Sequence, residues 1–344
     1  MDSQKLKKYK CIPINVLCKL NNLKRSLYLQ NILKQKRYSQ KVISIGNFTM
    51  GGSGKTPFTI YLANLLKREN LSVAILTRGY KKSGSGLKIL KNPDYKTNYW
   101  EYGDEPLLMG YNLPNIPILI SKNRINGIKF LENLPESPQV AILDDGFQYL
   151  KLFRDVDIVL IDSKNPFYFD KKIGCNLLRE SIKSVKYSHC VIFTKSSGEF
   201  KGEKIKEILK FLGKEHPIFF SYMKRDGIYN FLNEKIKGLN TKGKFLAISG
   251  IANNDQFFKL LRDENILPEK EISLKDHHKY NSGDIKSITG FLEKGGYVIT
   301  TEKDFVKLKD MIPDKFKEKS LYLKIKVVLE EEKKFLNFLK EKLS

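Results

Sequence analysis

Gly54-Lys55-Thr56 closes the stretch IGNFTMGGSGKTP at residues 45–57. Residues of these types at this spacing can hold phosphate. Glycines let successive backbone N–H groups close on phosphate oxygens, and a helix that starts at the lysine adds the positive end of its dipole. Gly51, Gly52 and Gly54 supply the permissive backbone. Lys55 is expected to reach the β- and γ-phosphates of a nucleotide, and the Thr56 hydroxyl to bind Mg²⁺. Thr49, Met50 and Ser53 complete the expected nucleotide-binding loop. One position breaks the standard G-x-x-x-x-G-K-[ST] spacing: Thr49 stands where the first glycine belongs. The tight turn is then expected to move back to Gly46, leaving the anion nest intact.

Further along, VAILDDGFQ (140–148) ends an apolar run in Asp144-Asp145. An acid at the tip of a strand beside a phosphate loop holds Mg²⁺, so either aspartate can serve. In YGDEPLLMG (102–110), Asp104 opens a helix, and on spacing alone a helix cap is the favoured reading. DHHKYNSGDI (276–285) sets His277 and His278 side by side, two of only four histidines. Neighbouring side chains point in different directions, so one of the two at most is expected to face a site. A solvated loop is an equal reading.

These residues need a scaffold. Short β-branched runs at 41–46, 72–77, 116–121, 139–144, 156–162 and 190–194 are continuously apolar, as parallel strands covered on both faces are. Helices fit between several, at 56–69 and 122–134. The pattern predicts a doubly wound, mainly parallel α/β fold of P-loop type. Near 215–225 the texture changes, and HPIFFSYMKRDGIYNFLN reads as extended chain and a turn. A second α/β set follows: strand 244–249, helix 253–264, strand 297–301, an alternating strand 321–329 and helix 330–343. The expected division is a segment 1–40, a nucleotide-binding domain 41–218 and a smaller α/β domain 219–344, whose last helix can pack back on the first domain.

The chain has 344 residues, room for about two domains. Lys+Arg number 62 against Asp+Glu 38, a net charge of +24 that attracts polyanions, anionic membranes or phosphorylated substrates. Residues 1–41 carry eleven of those cations and one acid, Asp2. Val16, Leu20, Leu23 and Leu27 recur there at helical spacing, with Ile12, Ile14 and Leu17 nearby. A basic helix with one apolar stripe can lie in a bilayer interface, or the stripe can pack on the domain. No run of about 18 apolar residues or secretory signal is visible. The four cysteines form no metal spacing and suit a reducing compartment.

In order along the chain, SIGNFTMGGSGKTP, LTRGY (76–80), GDEP (103–106), DDGFQ (144–148), LLRE (177–180), SGIAN (249–253), DHH (276–278) and TEKD (301–304) resemble the tetraacyldisaccharide 4′-kinase family of lipid A biosynthesis. That family's phosphate loop also lacks the standard first glycine. The resemblance implies transfer of the ATP γ-phosphoryl group, with Mg²⁺, to the 4′-hydroxyl of a disaccharide 1-phosphate bearing four acyl chains. It implies Asp104 as the base, supported by His277, with Lys55 on the triphosphate and Thr56, Asp144 and Asp145 at the metal. Glu180 resembles a further site residue, and Arg78 and Arg179 are candidates for phosphate contacts. Two departures from the family pattern fall near expected substrate contacts: Tyr149 stands where the family commonly has His, and IGCNL before Arg179 lacks the family's prolines. The implied partners are the lipid A precursor and an anionic membrane surface at the cytoplasmic face of a bacterial inner membrane, not nucleic acid. The main rival is a P-loop GTPase or ATPase switch, suggested by the likeness of YVITTEKD and VIFTKSS to a guanine-reading N-K-x-D motif, but with the wrong spacing. A nucleic-acid-dependent NTPase and a membrane scaffold with a dead loop are weaker rivals.

Overall fold

The computed structural model describes residues 3–79, 86–94, 97–167, 169–170, 175–196 and 203–344. Tyr80 of LTRGY and the first two residues of IGCNL lie outside the described residues. Helix α1 (Ser3–Leu29) precedes β1 (Lys41–Gly46), α2 (Lys55–Arg68), β2 (Val73–Thr77), β3 (Lys88–Leu90), α3 (Tyr99–Tyr102) and α4 (Asp104–Asn112). Then come β4 (Ile118–Ile120), α5 (Arg124–Glu132), β5 (Val140–Asp144), β6 (Val156–Asp162), the two-residue strands β7 (Phe169–Asp170) and β8 (Cys175–Asn176), β9 (Cys190–Thr194) and α6 (Glu203–Leu209). The long β10 (Ile218–Asn230) leads to β11 (Phe245–Ser249), α7 (Asn254–Asp263), β12 (Lys270–Ser273), α8 (Ser282–Glu293), β13 (Tyr297–Thr301), α9 (Glu302–Leu308), β14 (Ser320–Leu329) and α10 (Glu332–Leu343).

Among the described residues twelve strands form one sheet in the order β12-β11-β13-β14-β10-β9-β6-β1-β5-β2-β4-β3. Its pairings are parallel except β3 with β4 and β10 with β14. β2, β5, β6 and β9 are buried along their whole length, because helices cover both faces. Phe58, Leu62 and Leu66 recur at helical spacing on α2 and are each at most 1% exposed. Each contributes about 2 kcal/mol by burial and fixes α2 against β1.

The antiparallel β10–β14 pair decides where the site can be. The first four residues of β10, Ile218–Ser221, extend the first parallel set beside β9. The first four of β14, Ser320–Leu323, extend the second parallel set beside β13. Between them, Tyr222 to Gly227 pair with Val328 to Lys324 and form a two-stranded bridge. The two parallel sets therefore run in opposite directions and turn their carboxyl edges toward each other. Carboxyl edges are where open α/β sheets bind ligands.

The stretch 216–233 is extended chain and then a turn, as its sequence suggests: β10 runs for 13 residues with a bulge between Arg225 and Gly227, and the Asn233 N–H donates to Asn230 O (2.9 Å) where the chain turns. Two local expectations are overturned. β14 is not alternating at its start, since Ser320–Leu323 are all buried where β13 and β10 flank them. Gly46 ends β1 and lies outside the positive-φ region, so it makes no tight turn. Its lack of a Cβ admits Phe147, whose own Cβ would lie 2.5 Å from one built there. Sequence reasoning also passed over β3 and β12.

Candidate active site

The phosphate loop runs from the end of β1 to the start of α2. Its positive-φ residues are Gly51 (139°) and Gly54 (83°), conformations that suit glycine. Gly54 is the N-cap of α2 and leaves the first N–H groups of that helix without a side-chain cap. A missed residue shapes the loop: Asn47 donates to Thr49 Oγ1 (3.1 Å) and Ser53 Oγ (2.9 Å) and accepts from Lys55 Nζ (3.3 Å). Thr49 itself is extended and bridges antiparallel to Leu178. The Met50 N–H donates to Leu177 O (2.6 Å), and the Arg179 N–H to Phe48 O (2.8 Å). A strand-like residue is needed at this point, which accounts for threonine in place of glycine.

That short ladder carries the LLRE segment to the loop. Arg179 Nη1 lies 2.8 Å from both oxygens of Asp145, and Lys55 Nζ is 3.6 Å from Oδ1. Burial alone would raise the Asp145 carboxyl, but these two cations hold it far below the usual range. Asp144, at the tip of β5, accepts from Thr77 Oγ1 (2.9 Å) and Thr59 Oγ1 (3.3 Å). Burial, with Glu105 and Asp145 nearby, pushes its pKa up to about 6 against the opposing Thr77 hydrogen bond and Lys55 charge. The carboxyls of the adjacent aspartates are thus shifted in opposite directions.

Across the gap, Asp104 begins α4. It is not a side-chain cap: Gly103 holds the cap position, and Asp104 Oδ1 accepts only from the next residue's N–H (3.0 Å). Its Oδ2 lies 2.8 Å from Nδ1 of His277, which the second half contributes from the loop after β12. Burial would raise the Asp104 pKa, but the His277 hydrogen bond and the Lys303 charge outweigh it and bring it down to about 2. His277 has φ 57°, an unusual conformation of the kind that clusters at functional sites. His278 turns away to Asp284 (2.9 Å).

A cavity of about 1330 Å³ lies between the two carboxyl edges. Gly51 to Thr56, Asp144, Asp145, Arg78, Arg179 and His277 all line it. Thr49 and Asp104, each 7% exposed, do not, and neither does Glu180. Glu180 is 1% exposed and pairs with Arg25 of α1, while Gln148 donates to its Oε2 (3.3 Å). Arg124, which sequence reasoning missed, lines the cavity at 6% exposure with its guanidinium 4.9 Å over the Tyr149 ring. Its Nε has no hydrogen-bond partner among the described residues. The Tyr149 hydroxyl donates to Asn123, the N-cap of α5, so tyrosine here braces the arginine. TEKD is no guanine reader: Asp304 is fully buried and occupied by the Gly250 N–H, Thr301 and Lys307.

The Tetraacyldisaccharide-1-P 4′-kinase family profile matches residues 12–344. A tetraacyldisaccharide 4′-kinase of Aquifex aeolicus (strain VF5) is 34% identical over 319 residues, 92% of each chain. The enzyme of that name from Flavobacterium psychrophilum is 34% identical over 325 residues, 92% of this chain and 91% of its own. A crystal structure of Aquifex aeolicus LpxK in complex with ATP superposes with a TM-score of 0.79 at 32% identity, covering 98% of this chain and all of that one. With motifs, geometry and likeness in agreement along its length, the chain belongs to the tetraacyldisaccharide-1-P 4′-kinase family and is a kinase, not a GTPase switch.

Proposed function

We propose that the protein transfers the γ-phosphoryl group of ATP to the 4′-hydroxyl of a tetraacyldisaccharide 1-phosphate, forming the 4′-phosphorylated lipid A intermediate at a membrane surface. The observation that carries this reading is the Asp104–His277 pair: His277 lines the cavity opposite the phosphate loop, and Asp104, 7% exposed, lies directly behind it. Such a transfer needs alignment and charge neutralisation more than covalent chemistry. Gly51 to Thr56 cradle the triphosphate, and Lys55 neutralises charge as it moves toward the departing ADP. The sugar oxygen attacks the γ-phosphorus while its proton passes to Asp104, which His277 orients.

Mg²⁺ fits the residues present. Thr56 and Asp144 are hard oxygen donors, and Asp144 is a carboxylate that burial and two acidic neighbours leave short of positive charge. Among the described residues no three His, Cys or acidic side chains converge as a cage. That suits an ion that keeps phosphate and water ligands. When bound, Mg²⁺ would neutralise the β- and γ-phosphate oxygens. Asp145, already engaged by Arg179 and Lys55, is better suited to fixing the lysine. Arg78, Arg179 and Arg124 are cations for the substrate's phosphates.

In this reading residues 41–218 and 219–344 are two domains that close over the substrates and exclude water. Residues 1–40 meet the bilayer. The face of α1 that touches the body is polar: Asn21 donates to Arg179 O (2.8 Å), Lys24 to Gln148 O (3.0 Å), and Asn22 accepts from the Ser181 N–H (3.0 Å). Its apolar stripe faces out, with Val16 49%, Leu20 58% and Leu23 59% exposed, while Leu17 reaches the cavity mouth. Among the described residues no helix is long and apolar enough to cross a membrane. An interfacial helix on the cytoplasmic face of the inner membrane, drawn by anionic lipid, matches both features. The test is ATP-dependent phosphorylation of a tetraacyl disaccharide 1-phosphate, with the new phosphate mapped. Transfer to the 4′-position supports the reading, and an unmodified glycolipid overturns it.

A further inference from the structure

Lys303, the lysine of TEKD, has no assigned role in the reaction described above. It lies in the first turn of α9, and its side chain is 16% exposed. Its ammonium faces four acceptors at once. Nζ lies 3.4 Å from Glu105 Oε1, 3.2 Å from Asp276 Oδ1, 4.0 Å from Asp104 Oδ2 and 3.3 Å from His277 Nε2. Burial would lower the Lys303 pKa, but Glu105, Asp104 and Asp276 raise it, so the group stays charged. A lysine that spans α4, α9 and the loop after β12 is held there by chemistry rather than by apolar packing.

The contact with the ring matters most. An ammonium can only donate, so a nitrogen that accepts from it must carry a lone pair. Nε2 of His277 is then the bare nitrogen, and Nδ1 carries the hydrogen donated to Asp104. We propose that Lys303 is a positioning residue for phosphoryl transfer: it holds the His277 ring in the tautomer whose Nδ1–H faces Asp104. This rests on the reading of Asp104 as the base. Asp276 lies 3.7 Å and Glu105 3.9 Å from His277 Nε2. Without Lys303 these carboxylates can accept a hydrogen from Nε2, and a neutral ring with its hydrogen there has none at Nδ1 to give Asp104.

The test compares Lys303→Met, Lys303→Arg and Asp104→Ala with the parent, using ATP, Mg²⁺ and tetraacyl disaccharide 1-phosphate. Lys303→Met is expected to lower kcat by about tenfold or more, and Lys303→Arg, which keeps a cationic donor at Nε2, to recover most of it. KM for ATP stays within about threefold, because the loop is untouched. Nitrogen NMR of the His277 ring gives a reading independent of turnover: the Nδ1–H tautomer in the parent and a gain of the Nε2–H tautomer in Lys303→Met. An unchanged kcat, or the same tautomer in both proteins, overturns the role of Lys303. Full activity in Asp104→Ala overturns the base assignment and this proposal with it. An impaired Asp104→Ala enzyme beside a fully active Lys303→Met removes Lys303 alone.

Discussion

Asp144 and Asp145 are joined by one peptide bond, yet Asp145 turns through φ 51° to meet Arg179 and Lys55 while Asp144 stays in the strand under two threonine hydroxyls. Roles at the residue scale follow from such partners. Lys55→Ala removes the cation that pairs with Asp145 and that the proposed reaction places on the phosphates, and it is expected to abolish transfer; substantial remaining turnover would contradict the loop assignment. Asp104→Ala is expected to lower turnover by about 10²–10⁴-fold with little change in ATP affinity, measured as kcat beside nucleotide binding. Asp104 also carries a stability prediction. Its folded pKa of about 2 lies below its ordinary value of 3.8. The ionised form is therefore favoured by folding, by about 2 kcal/mol. That contribution is complete above about pH 4 and is lost as pH falls through about 2. Asp104→Asn should thus be less stable than the parent at neutral pH, with the gap narrowing in acid denaturation curves.

Helix α1 shows what an element adds. Its docking face holds Arg25, whose guanidinium pairs with Glu180, donates to Phe147 O at 2.9 Å and stacks 4.3 Å over the Phe147 ring. Glu180 is next to Arg179, so the helix, the phosphate loop and the DDGFQ turn are tied at one point. Arg25→Ala strands a buried carboxylate and is expected to destabilise the fold by about 3 kcal/mol in denaturant titration, with Glu180→Gln in the same chain recovering part of it. The opposite face is expendable to the fold. Leu20→Ser with Leu23→Ser should leave the melting temperature nearly unchanged and weaken partition onto anionic vesicles; equal partition would mean that another surface meets the lipid.

For the whole molecule, the governing feature is the antiparallel bridge of β10 and β14. It turns the carboxyl edges of two parallel strand sets of one sheet toward each other, so Gly54 and Asp144 from one meet His277 and Lys303 from the other across one cavity. Closing helix α10 ties the first half again through Tyr61 to Glu332 (2.6 Å) and Lys340 to Glu69 (2.7 Å). The net charge of +24 acts at this scale too. Raising salt from about 0.05 to 0.5 M should shorten the reach of that charge from over 10 Å to a few ångströms and weaken vesicle partition, leaving an apolar remainder from α1. Salt-independent partition would argue against an electrostatic approach.

The sequence by itself determined the strand cores, the glycine loop, the acid at the tip of β5 and the apolar stripe of the basic helix α1, because each is written in neighbouring residues as a continuous apolar run, a short motif or a period of about four. It also placed the family motifs in order. Tertiary structure alone decided that Asp104 meets His277 rather than capping its helix, since the two are 173 residues apart and join only when the β10–β14 bridge folds the sheets together. It decided as well that Thr49 is strand-like, that Gly46 is small for the sake of Phe147, and that Arg124 and Lys303 face the cavity. No local pattern records these, because each depends on which distant side chain arrives opposite.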